Sequence, residues 1–165
     1  MPAVFKAIKP STLRIDAFRL EALNSMRKIG RKIKKDFEKT TKTWDSKPTF
    51  TMKISLKAPG PTTEVTTDDE IYKGVDEGTD PHIIVPVNAT KLVFLVGGTP
   101  KTTPNVIDSK PGSPGDQLIF TDIVDHPGTE ARNFSKTIAE KWESPFKKEM
   151  EAALQRARKK SGHAI

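Results

Sequence analysis

The stretch "TFTMKISLK", residues 49–57, decides the fold. Phe50, Met52, Ile54 and Leu56 fall on one side of an extended chain. Thr51, Lys53, Ser55 and Lys57 fall on the other, which is the alternation of a half-buried strand. Directly upstream the spacing differs. Phe18, Ala22, Met26, Ile29, Ile33 and Phe37 step by three and four, an apolar stripe on a helix from about Asp16 to Thr41 with Asp16 as its N-cap. Gly30 costs ~1 kcal/mol against Ala inside a helix, so its presence points to a close contact. A long helix handing over to a period-two strand places the chain in a mixed class.

Beyond the strand, "APGP" (58–61) is a turn and "TTEVTT" (62–67) the return strand of a hairpin, polar enough for an edge or exposed face. "DDEIYKGVDEGT" (68–79) reads as a short helix capped by Asp68 or Asp69 and ending near Gly78. "HIIVPV" (82–87) is a short extended run that Pro86 assigns to an edge. "KLVFLV" (91–96), rich in β-branched and aromatic residues, reads as the strongest core strand, pairing with "QLIFTDIV" (117–124). From about Asn133 to Lys160, Ile138, Trp142, Phe146, Met150, Ala153 and Ala157 form a second helical stripe. Ser144-Pro145 makes this either two helices or one kinked helix. The basic tail, 156–165, is expected to fray. The expectation is one α+β domain over 1–165: a largely antiparallel sheet of four to five strands, covered on one face by a long N-terminal and a C-terminal helix.

The segment 97–116 stands apart. It carries four prolines and four glycines, and only Val106 and Ile107 are large and apolar. So long a loop is commonly functional or disordered. The expectation is a hairpin arm, mobile in the free subunit and ordered by a partner, with Val106 and Ile107 anchoring its tip.

The 165 residues suffice for one domain with a real core. There is no Cys, which excludes disulfides and thiolate metal sites. No apolar run reaches the ~18 residues of a membrane span, and the first residues lack the apolar core of a signal peptide. The net charge of +7 is split: +8 over 1–42, −5 over 43–125 and +4 over 126–165. Such a split suits nucleic-acid contact, or subunits whose acidic part faces a neighbour's basic part. On the first helix Lys28, Arg31, Lys35, Lys39 and Lys42 lie opposite the apolar stripe, as a solvated face or a phosphate-facing one.

No catalytic set emerges. His82 and His126 have Asp76, Glu77, Asp80 and Asp125 near them in sequence, but the spacing matches no metal loop. Ser135 and Thr129 lack a nucleophile elbow, and "GGTPKT" lacks the Walker pattern. No enzyme activity, cofactor or metal is expected. Three segments echo one another: "GTDPH" (78–82), "GTPKT" (98–102) and "HPGTEAR" (126–132) join Gly-Thr to Pro and a charge at element boundaries. Ordinary turn chemistry accounts for that much.

Around these residues the chain resembles the tail-completion or minor tail proteins of long-tailed phages, the family of the lambda tail-completion protein Z. The resemblance rests on Tyr72, Glu77, Gly78 and Thr79, and on Ala131, Arg132 and Phe134 opening the last helix; it covers roughly residues 12–155. Asn133 stands where the family often has Pro. The resemblance implies a virion protein, made in the host cytoplasm and assembled as a hexameric ring around the DNA channel at the head–tail junction. Its implied partners are other copies of itself, the tail tube protein, a tail terminator or head-completion stopper, and genomic DNA bound without sequence preference, with no membrane. Phe134 is then the anchor of the last helix. Lys101, Val106, Ile107 and Arg132 are candidate subunit or partner contacts, and Lys28, Arg31, Lys35 and Lys39 candidate channel residues. The alternative is a non-specific nucleic-acid-binding module using the basic first helix and the tail. Aromatic residues are only 7% of the chain and lie mostly on core stripes, so base stacking is poorly supported.

Overall fold

The computed structural model describes residues 14–57 and 60–162. Turn residues Ala58 and Pro59, and His163 with the rest of the extreme C-terminus, lie outside them. The fold is α+β. In chain order come α1 (Ile15–Thr40), β1 (Thr51–Ser55), β2 (Thr62–Thr66), α2 (Glu70–Glu77), β3 (His82–Ile84), β4 (Leu92–Val96), β5 (Gln117–Thr121), β6 (Val124–His126) and α3 (Phe134–Lys160). All pairing is antiparallel, but the six strands do not make the single sheet of four to five that the sequence suggested. They form three two-stranded ladders: β1 with β2, β3 with β6, and β4 with β5.

α1 and α3 pack along each other, and α1 also covers β1 and β2. The contact buries Ala22, Met26 and Ile29 of α1 and Ile138, Ala153 and Ala157 of α3. Gly30 is where the hairpin comes closest. A Cβ there would sit 2.5 Å from Met52 Sδ and 2.8 Å from Thr63 Cγ2. The aromatic heart lies beside this seam. Phe50, Tyr72 and Phe134 are buried together, with Phe37 and Trp44 packed on them. The Phe50 and Tyr72 rings meet edge to face at 5.0 Å, a favoured aromatic geometry. Burial pushes the Tyr72 phenol well above its ordinary value, despite the hydrogen bond from Thr40, so it stays neutral.

Buried carboxylates tie α1 to α3. Asp36 accepts from Lys141 Nζ (2.6 Å) and Trp142 Nε1 (2.9 Å). Burial alone would raise its pKa, but the bonds from Lys141 and Trp142 outweigh that and hold it below 3.8. Glu21 accepts from Lys160 and from Arg156 Nε, and these two bonds depress its pKa. Arg156 and Lys160 therefore sit on a regular helix and are engaged, where the sequence suggested a frayed tail.

One expected helix cap changes and two helix starts become specific. α1 begins behind Arg14, and Asp16 falls in its first turn, where it favours the helix dipole without capping. α2 is capped by Asp69, whose side chain accepts from Tyr72 N at 2.7 Å. α3 starts after Asn133 in a left-handed conformation, with no cap from that side chain. Its cap comes from α2: Asp76 accepts from Ser135 N (3.1 Å) and from Ser135 Oγ. α3 continues through Pro145 as one helix. Pro145 and Lys141 both face solvent, so water can satisfy the Lys141 carbonyl that Pro145 leaves free.

Candidate interaction surfaces

The β4–β5 ladder is the largest departure from expectation. Its register, Val93 opposite Phe120 and Leu95 opposite Leu118, puts these four side chains on one face. Each is more than half exposed (55%, 59%, 54% and 51%), so this face of the stretch that reads as the strongest core strand is left largely to solvent. On the opposite face Leu92 and Ile119 are half-buried, while Phe94 and Val96 stay exposed. The four outer side chains alone present roughly 400 Å² of apolar surface, within the ~300–600 Å² of the largest patch on a typical monomer. Ile83, Val85 and Ile123 are exposed as well. No charge interrupts either strand, and among the described residues both outer edges are unpaired. An edge of this kind invites another chain.

Two apolar grooves run along α3. Trp142, Phe146 and Ala139 line one of about 450 Å³, with Ile33, Val65 and Pro61 opposite. Phe146, Met150 and Leu154 line another of about 440 Å³, with Phe18 opposite.

The arm does not hang free along its first half. Lys101 Nζ bonds Asp45 at 2.6 Å, and the Lys101 carbonyl accepts from Thr43 at 3.2 Å. Thr102 is buried. Asn105, left-handed with φ 58°, donates its N–H to the Arg132 carbonyl at 2.9 Å. Thr99 and Ser113 bond across the arm's base. The expectation of an arm that finds partners only on a neighbour is therefore corrected for 101–105, which docks on its own subunit. Val106 remains exposed and Ile107 half-buried near its tip.

Two of the three echoing segments lie side by side. Thr79 and Thr129 exchange backbone hydrogen bonds at 3.0 Å each, and His82 stands opposite His126 with ring centroids 5.0 Å apart. The close approach requires glycine at 78 and 128, both with positive φ. A Cβ on Gly128 would sit 2.3 Å from the Thr79 carbonyl oxygen. Both histidines spend Nδ1 on local backbone, at Asp80 O and Gly128 N. Among the described residues no three His, Cys, Asp or Glu side chains converge as a metal site.

The remaining candidates divide. Phe134 is fully buried against Tyr72. Lys101 and Arg132, far apart in sequence, line one cleft. On α1, Arg31 and Lys35 are exposed, whereas Lys28 reaches Glu149 (3.4 Å) and Lys39 pairs with Asp36 (3.4 Å), so the candidate basic face is partly neutralised. No helix among the described residues is long and apolar enough to cross a membrane. Sequence reading missed the grooves along α3, because their walls come from distant segments. Half-buried rather than buried residues at Trp142, Phe146 and Met150 are what reveals them. No protein-family model, curated protein or solved structure significantly matches this chain.

Proposed function

We propose that this chain is a structural virion protein that assembles as a ring at the head–tail junction of a long-tailed phage, joining tail tube to head connector. The observation that carries the assembly half of this reading is the β4–β5 ribbon. An uncovered two-stranded ribbon is marginal by itself in water, and its apolar faces favour a protein partner. The grooves along α3 offer an apolar counterpart on a different part of the same chain. A ribbon of one copy seated in a groove of the next makes a head-to-tail contact, which closes into a ring when the rotation fits. The resemblance to tail-completion proteins supplies the location and the sixfold symmetry. Exposed Arg31 and Lys35 supply the expected non-specific contact with DNA in the channel.

Negative-stain microscopy of the concentrated protein tests the ring, with six subunits around an open channel as the expected result. Trp142→Lys in the groove and Leu95→Ser with Phe120→Ser in the ribbon should each abolish it. Phage lacking the protein should accumulate filled heads and complete tails that join when the purified protein is added. A chain that stays monomeric at high concentration and restores no joining contradicts the reading. DNA binding should be weak and should fall steeply with salt; sequence-specific binding that survives high salt favours a nucleic-acid-binding module instead.

A further inference from the structure

Arg132 is held from three sides. Its N–H donates to the Val75 carbonyl (3.0 Å), its own carbonyl accepts from Asn105 (2.9 Å), and the next residue's N–H donates to Asp76 O (2.9 Å). The end of α2 and Asn105 of the arm thus clamp its backbone, and the side chain is nine-tenths buried. Yet among the described residues its Nε has no hydrogen-bond partner. The nearest carboxylate oxygen is Glu130 Oε2, at 4.0 Å from Nη1, the outer limit of an ion pair, on a side chain that is 77% exposed. A guanidinium is always charged and offers five donors in a planar fork. Burying one with so little compensation is costly unless an anion completes it.

Arg132 lines a cleft of about 520 Å³, within the size range of ligand sites. Trp44, Ile71 and Val75 give it apolar walls. Lys101 stands at the same cleft, already paired with Asp45, which leaves Arg132 as the cation in need of a partner. We propose that this cleft binds a carboxylate carried on an apolar stem, the carboxylate on the Arg132 guanidinium and the stem against Trp44, Ile71 and Val75. The fork geometry matches a carboxylate's two oxygens. The walls leave little to hold a heavily hydrated anion such as phosphate. The source is either an acidic residue or C-terminus of another protein chain, or a free organic acid. The inference stands independently of the phage reading.

Phenylacetate and its uncharged analogue phenylacetamide are the probes, titrated into the full chain while the Arg132 Nε–Hε resonance is followed by NMR. The expected result is a saturating shift with phenylacetate at least tenfold tighter than with phenylacetamide. Arg132→Met should lose the binding and melt at or above the wild-type temperature, because an unpaired buried charge is replaced by an apolar chain of similar volume. Loss of phenylacetate binding as the protein is concentrated into its assembled form identifies a second copy as the source. Undiminished binding identifies a free acid or a different protein. Equal affinity for the two probes, phenylacetate binding that survives Arg132→Met, or a variant that melts several degrees lower each overturns the proposal. The last would mean that the guanidinium is satisfied within its own chain.

Discussion

Two regions of this molecule each carry a run of apolar side chains in sequence and meet opposite fates. In the body, Phe50, Tyr72 and Phe134 come from three distant segments and bury one another completely. In the ribbon, Val93, Leu95, Leu118 and Phe120 line up along adjacent strands and meet solvent. The body places a helix over each apolar face: α1 over the β1–β2 hairpin, and α3 along α1. Among the described residues no helix lies over the ribbon in the same way. Apolar alternation therefore specifies that a strand forms and which side chains share a face, but not whether the cover lies in the same chain. In the ring proposed above, the ribbon is the part of the fold whose stabilising partner belongs to another molecule.

If that contrast is right, substitutions in the two regions separate stability from assembly. The largest effect belongs to Phe134→Ala, which removes a fully buried ring from the aromatic cluster and should cost ~3–5 kcal/mol, read by denaturant unfolding. Gly30→Val comes next. Its new side chain meets Met52 and the short, branched Thr63, and such overpacking costs ~1–3 kcal/mol, read the same way.

Acid sharpens the contrast differently. Glu21, Asp36 and Glu149 all have folded pKa values below their ordinary 4.5, 3.8 and 4.5. A carboxylate with a depressed folded pKa contributes stability that is fully present above its unfolded value and is lost as pH falls through the folded one. Thermal melts should therefore be flat from neutral pH to about 5 and fall steeply below 4. Lys141→Met should flatten that fall by removing a main cause of the Asp36 shift. A melt independent of pH across this window would show that these bonds do not tie α1 to α3.

Deleting 100–113 is expected to cost ~1 kcal/mol, typical of a modest local change. The loss comes from the Lys101–Asp45 pair and the Asn105–Arg132 hydrogen bond, while β4 and β5 can still pair. Circular dichroism and a melt check both parts; a deletion that unfolds the chain would make the arm part of the core. The smallest effect on the single chain belongs to the ribbon itself. Leu95→Ser with Phe120→Ser should change the unfolding free energy of the monomer by under ~1 kcal/mol, as for surface positions, while preventing assembly.

Much of this fold was legible because its signals are local. The helical stripe from Phe18 to Phe37, the alternation at 50–56 and the Asp69 cap each follow from spacing or side-chain chemistry within a few residues. The close contact at Gly30 was likewise marked by a glycine that a helix tolerates only at a cost. What spacing could not reveal depends on tertiary approach. Asp76 caps α3 from another helix. Thr79 finds Thr129 across fifty residues, and Arg132 meets the arm at Asn105. The assignment of β4 to the core failed for a related reason: a strand apolar on both faces looks the same whether its cover is intramolecular or not. The candidate contacts Lys101 and Arg132 were singled out separately, and only folding shows that they share a cleft.

Hydrogen exchange of the full chain, at dilute and at assembling concentrations, tests the central claim most directly. Amides of 92–96 and 117–121 should exchange quickly in the dilute protein, since a ribbon without cover opens locally. They should become protected as concentration rises, while those of β1 and β2 stay protected throughout. Ribbon amides as protected at dilution as those of β1, or no gain in their protection on concentration, would show that the ribbon is complete within one chain and would contradict the account.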